Sequence, residues 1–196
     1  MSLVQLADNT RTDKNTVHSY LPLYQMLLEH KRYTATNVLE VGICHGGSIK
    51  LWSDFFVNAN VYGLDIMDYY HVWGELKNKP SIKLYTSTNA YDPEFFQKEI
   101  SPVKFDLMLD DGPHTLDSMK QFILLYSQCL ADDGILIIED VQSWDWIKEL
   151  VDTVPIHLKP YIKSYDLRSN KQRYDDIVFT IDKSDRTPRK LSMQFI

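Results

Sequence analysis

Val38-Leu39-Glu40-Val41-Gly42-Ile43-Cys44-His45-Gly46-Gly47-Ser48 reads as a short apolar strand that runs into a glycine-rich turn and from there into a helix. Glycines at such a turn allow positive φ, and they let a ligand lie against backbone at the helix N-terminus. The spacing is GxxxGG, with Glu40 two residues before the first glycine. It departs from the GxGxxG dinucleotide fingerprint and disfavours a nucleotide carrying a diphosphate.

Outward from that turn the signals alternate. Residues 17–31 place Leu21, Tyr24, Leu27 and Leu28 on one side of a helix, followed by a strand over 37–41 and a helix over 46–57. Strands are expected over 60–66, 81–86, 105–109 and 134–138, with helices over 70–78, 92–100 and 114–130. Such alternation implies right-handed crossovers and an α/β, Rossmann-like, doubly wound sheet of seven mostly parallel strands with helices on both faces. The tail breaks the rhythm: 156–167 and 175–182 read as two strands joined by residues 169–172, an antiparallel C-terminal hairpin at the sheet edge.

At 196 residues the chain fits one domain, 1–196, with 1–35 as an N-terminal helical cap. The composition, 44% hydrophobic and 24% charged, excludes a disordered tail or a disulfide miniprotein. A net charge of −6 gives no general attraction for nucleic acid or anionic lipid. Cys44 and Cys129 show no CxxC or CxxH spacing, so a reducing compartment is expected. No apolar run nears the ~20 residues that span a bilayer, and the start lacks the pattern of a signal peptide. A soluble, cytoplasmic protein without membrane partners is the expectation.

In open α/β sheets ligands bind outside the carboxyl ends of the strands. Asp65 and Ile66 close the second strand, and Ser87-Thr88-Asn89 follows the third. The fourth strand ends Leu109-Asp110-Asp111-Gly112-Pro113-His114 and the fifth Ile138-Glu139-Asp140-Val141. Four carboxylates and a histidine converge on one rim, and like charges at reduced dielectric need a cation or raised pKa values. An oxygen-rich set suits Mg²⁺ or Mn²⁺ better than zinc. Taken singly, the glycines make a tight turn, Asp110-Asp111 caps a helix and His114 is a turn histidine. Their coincidence is what points to a site.

Glu40-x-Gly42-x-x-x-Gly46-Gly47-Ser48 followed by Asp65 resembles the cofactor site of class I S-adenosylmethionine-dependent methyltransferases. The resemblance implies that Glu40, Gly42, Gly46, Gly47, Ser48, Asp65, Ile66, Thr88, Asp110 and Lys14 bind the cofactor, with Asp65 accepting from the ribose hydroxyls. Asp-Asp-Gly-Pro-His with Glu-Asp-Val looks like the metal-dependent sugar O-methyltransferases that modify macrolides of the mycinamicin and tylosin type. It implies Asp111, Glu139 and Asp140 as ligands of Mg²⁺ or Mn²⁺, with His114 as the base. Alternation along an extended segment lets only one of Asp110 and Asp111 point into the site, and either fits. The acceptor implied is a small-molecule or glycan hydroxyl, and a homo-oligomer is possible. The macrolide enzymes carry a large added N-terminal domain of which this chain has almost nothing, which leaves the acceptor open. A catechol-type enzyme and a non-catalytic binding module are the alternatives, although the catechol group usually carries Asp-Asn where this chain has Glu139-Asp140.

Thr12-Asp13-Lys14, with His18, Tyr20 and Tyr24, also resembles a segment of this family. It either folds over the cofactor or starts a helix through an Asp13 or Thr16 cap. Tyr69–Trp73 and Trp144-Asp145-Trp146 either wall a sugar pocket or fill core.

Overall fold

The computed structural model describes residues 1–184. The last twelve residues of the expected domain lie outside the described residues. In chain order the elements are α1 (Leu3–Leu6), α2 (Tyr20–Leu28), β1 (Asn37–Val41), α3 (Gly47–Phe55), β2 (Asn60–Leu64), β3 (Ile82–Tyr85), α4 (Pro93–Phe95), β4 (Phe105–Asp110), α5 (Leu116–Tyr126), β5 (Leu130–Ile138), α6 (Trp146–Thr153), β6 (Ile162–Asp166), α7 (Arg168–Lys171) and β7 (Ile177–Asp182). They build a seven-stranded sheet of order β3-β2-β1-β4-β5-β7-β6. All neighbours are parallel except β5–β7 and β7–β6, so the hairpin is antiparallel as expected. β7 lies inside it, and β6 forms the edge.

Alternation along the strands divides the core between two faces. Val38, Val61, Leu107, Leu109, Ile135 and Ile137 pack with α1, α2 and α3 on one face. Leu39, Val41, Leu64, Met108, Leu136 and Ile138 pack with α5 and α6 on the other. The same parity governs the acids. Glu40 shares the face of Val38, and continuing the alternation of β4 and β5 puts Asp111 and Glu139 there too, while Asp110 belongs to the opposite face.

Three expectations change. The helix expected over 70–78 is two single 3₁₀ turns, Tyr69–His71 and Gly74–Leu76, because Asp68 caps only the first turn and Gly74 weakens any helical continuation beyond it. The helix expected over 92–100 is one α turn running into a π turn, Phe96–Ile100. The strand expected over 156–167 shortens to Ile162–Asp166, since Pro160 has no N–H and sits in a 3₁₀ turn. α6 was not expected at all. Among the described residues no helix is long and apolar enough to cross a membrane.

Candidate active site

The glycine turn owes its shape to two close approaches. Gly42 has φ +83°, and a Cβ there would lie 1.8 Å from the Asp111 carbonyl oxygen. A Cβ on Gly47 would lie 2.0 Å from the Arg11 carbonyl oxygen, so the N-terminal segment rests directly on the start of α3. Asp65 pins the turn from below: its Oδ2 accepts from the N–H groups of Ile43 (2.9 Å) and Cys44 (2.8 Å), and its Oδ1 from Met67 N–H (2.8 Å). Oδ2 has both lone pairs taken, while Oδ1 keeps one for a ribose hydroxyl.

A cavity of about 760 Å³ opens above these strand ends. Of the residues expected to bind cofactor, Gly42, Gly47, Ser48, Asp65, Ile66 and Thr88 line it. Residues 9–13 line it too, as do Asp111, His114 and Asp140. Glu40, Gly46, Asp110 and Lys14 are not part of that lining. Glu40 is fully buried and accepts from the Trp52 indole at 2.8 Å. Asp110 accepts from Tyr91 Oη (2.9 Å) and Gly112 N–H (3.3 Å). Burial pushes its carboxyl up to about 7.

Asp111 is therefore the aspartate that faces the histidine. His114 Nε2 lies 3.8 Å from Asp111 Oδ1, and its Nδ1 lies 3.7 Å from Asp140 Oδ2. One donor atom from each of these three residues lies within 4.8 Å of the others, a set able to hold a divalent cation. Glu139 stands behind it: one oxygen accepts from Lys14 Nζ and the other from Tyr24 Oη. Burial, then the Asp111 charge, raises the Glu139 carboxyl well above its ordinary range. Burial also raises Asp111 to about 7 against the pull of Lys14, and it lowers the His114 imidazole below its ordinary 6.5.

The N-terminal segment supplies a partner for each acid on its face. Lys14 Nζ meets Asp111 at 2.7 Å, Glu40 at 3.3 Å and Glu139. Burial alone would lower the Lys14 ammonium, but these three carboxylates hold it above its usual value. Tyr20 Oη donates to Asp140, and His18 Nδ1 lies 2.7 Å from Asp176 and 3.3 Å from Asp140. Burial, followed by the adjoining carboxylates, raises the phenols of Tyr20 and Tyr24. Neither Asp13 nor Thr16 caps α2, which starts after Ser19 without a side-chain cap. The Trp144 and Trp146 rings pack against the core, while Tyr69 and Tyr70 are exposed.

Backbone strain gathers at the same rim. Cys44, Ser87, His114 and Asp140 follow β1, β3, β4 and β5 and have φ of 48°, 51°, 55° and 54°. Left-handed backbone is uncommon for residues with a Cβ and persists where surrounding structure imposes it. Tyr91, which lines the cavity and holds Asp110, carried no sequence signal, because its partner lies nineteen residues away.

No family model matches the chain. It is 29% identical over 140 residues to mycinamicin VI 2''-O-methyltransferase of Micromonospora griseorubida, covering 66% of this chain and 33% of that protein. It is 28% identical over 155 residues to L-olivosyl-oleandolide 3-O-methyltransferase of Streptomyces antibioticus, covering 74% and 38%. The chain thus spans about a third of the length of the curated relatives it matches. Among solved structures, MycE methyltransferase of the mycinamycin biosynthetic pathway, in complex with Mg and SAH, superposes with a TM-score of 0.74 at 22% identity, over 98% of this chain and 58% of that one. The same enzyme with mycinamycin VI also bound gives 0.72 at 21% identity, over 98% and 57%. The chain has the class I methyltransferase fold, and in sequence it is similar to the macrolide-sugar O-methyltransferases.

Proposed function

We propose that this chain is the catalytic domain of an S-adenosylmethionine-dependent, divalent-metal-dependent O-methyltransferase acting on a sugar hydroxyl. The observation that carries the reading is one cavity lined both by the glycine turn with Asp65 and by Asp111, His114 and Asp140. The curated relatives support it, since each is by its name an O-methyltransferase of a glycosylated natural product. A glycosidic acceptor fits the same reading, as do a cytoplasmic location and assembly into a homo-oligomer.

The donor set fits Mg²⁺ or Mn²⁺: carboxylates of Asp111 and Asp140 facing the cavity, Glu139 behind them, and no thiolate among them. When bound, the cofactor supplies a sulfonium methyl and the cation lowers the pKa of the acceptor hydroxyl. The work left to the chain is alignment and proton removal. Gly42, Gly47 and Asp65 shape the wall against which the cofactor would lie, and residues 9–13 complete the lining. His114 would take the proton of the acceptor hydroxyl on an imidazole nitrogen. Both of its carboxylate neighbours stand beyond hydrogen-bond distance, and burial keeps the ring neutral at pH 7, the form a base requires.

Calorimetric titration of S-adenosylhomocysteine, with Mg²⁺ and then with chelator, tests the cofactor site. Methyl transfer to a panel of deoxysugar and catechol acceptors tests the reaction. Saturable one-site binding with Mg²⁺-dependent transfer to sugars is expected; absence of binding under both conditions would overturn the reading.

A further inference from the structure

The ammonium of Lys14 is buried and has three anionic partners. Of these only Asp111 also lines the cavity, because Glu40 is tied to Trp52 and Glu139 to Tyr24. Asp111 is therefore shared between two sides. Its Oδ2 accepts from Lys14 at 2.7 Å, and its Oδ1 faces His114 at 3.8 Å. A divalent ion held by Asp111 and Asp140 would stand next to a fixed positive charge, and like charges at so short a range repel.

We propose that Lys14 is a positioning residue that sets the metal affinity of this site, a tethered ammonium that shares Asp111 with the divalent cation and weakens its binding. The inference rests on the metal-dependent reading above. It gives the Thr12-Asp13-Lys14 segment a second task besides walling the cavity. The same ammonium also meets Glu40 and Glu139, so the acid cluster has a positive charge of its own and the ion is not its sole source of compensation.

The probe is Mn²⁺, titrated into the full chain without cofactor and followed by the electron paramagnetic resonance of the free ion. Lys14→Met keeps most of the stem volume and removes the charge. It is expected to bind Mn²⁺ at least tenfold more tightly than the parent, with a melting temperature that rises more steeply with Mn²⁺. A purely structural lysine would leave the affinity of the folded protein unchanged or lower it, and either result overturns the proposal. Should Lys14→Met not fold, Glu139→Gln and the double variant Lys14→Met/Glu139→Gln form a second pair differing only in the ammonium. The double variant should again bind more tightly than Glu139→Gln alone, and equal binding overturns the proposal. Absence of Mn²⁺ binding in the parent and all variants would overturn this inference and the metal-dependent reading together. Equal binding by parent and variant defeats the role of Lys14 alone, and the S-adenosylhomocysteine titration remains a separate test of the cofactor site.

Discussion

His114 holds a left-handed backbone, with φ of 55°, at the end of β4. For a residue with a Cβ that conformation costs about 1–2 kcal/mol, and glycine escapes the cost. His114→Gly should therefore be more stable than His114→Ala by about 1 kcal/mol in denaturant unfolding, while both lose the base. Turnover should fall by about 10²–10⁴ in either, with S-adenosylhomocysteine binding retained; full activity in His114→Ala would end the base assignment. Asp110 makes a pH prediction of definite sign. Its carboxyl sits at about 7 in the folded chain against an ordinary 3.8, so the folded state holds the proton more tightly than the unfolded one. Stability is thus lost as pH rises from about 4 to about 7, by up to about 4 kcal/mol. Asp110→Asn keeps an acceptor for Tyr91 and removes that loss, so its stability relative to the parent should climb over this window and level off above it. A difference between the two proteins that stays flat from pH 4 to pH 8 would contradict the burial of an ionisable group. The choice between Asp110 and Asp111 was half legible. Alternation required that they face opposite ways, but which face holds the site depends on where α2 and Lys14 pack.

At the scale of elements, strands were the easiest to read, because β1, β4 and β5 are buried on both faces and appear as near-continuous apolar runs. α6 escaped because its helical repeat, Ile147, Leu150 and Val151, adjoins two tryptophans that read equally well as pocket residues. The N-terminal segment was legible as a unit, but its docking was invisible, since a turn between residues 8 and 19 has no periodicity to read. Its seat is the bare Cα of Gly47 under the Arg11 carbonyl, with the Arg11 guanidinium 4.1 Å above the Trp73 ring. Gly47→Ala would favour α3 by propensity alone, about 1 kcal/mol, yet its methyl group cannot coexist with the Arg11 carbonyl in place. The segment has to lift, and the cavity loses a wall. The expected outcome is S-adenosylhomocysteine affinity reduced tenfold or more, with a melting temperature changed little. Parental affinity in a folded Gly47→Ala protein would show that residues 9–13 do not enclose the cofactor.

Across the whole molecule, the acids of the rim were legible and their partners were not. Glu40, Asp111, Glu139 and Asp140 announce themselves at the ends of apolar strands, where unpaired charge is costly. Lys14, Tyr20 and Tyr24 meet Asp111, Asp140 and Glu139 from 97, 120 and 115 residues away, and no local pattern reports such a meeting. The consequence concerns metal removal. In a site whose carboxylates were balanced only by a divalent ion, chelation would leave several buried charges uncompensated, each a matter of several kcal/mol. Here Lys14 and two phenols remain after the ion has gone. Ligand linkage then sets the size of the effect: saturating Mg²⁺ alone, at about 100 times its dissociation constant, stabilises by about 2.7 kcal/mol. For a chain of this length that corresponds to about 5–10 °C in melting temperature. Chelator should return the protein to its unliganded melting temperature with a single cooperative transition intact. Loss of that transition in chelator, followed by calorimetry, would mean that the ion rather than Lys14 holds the four acids together.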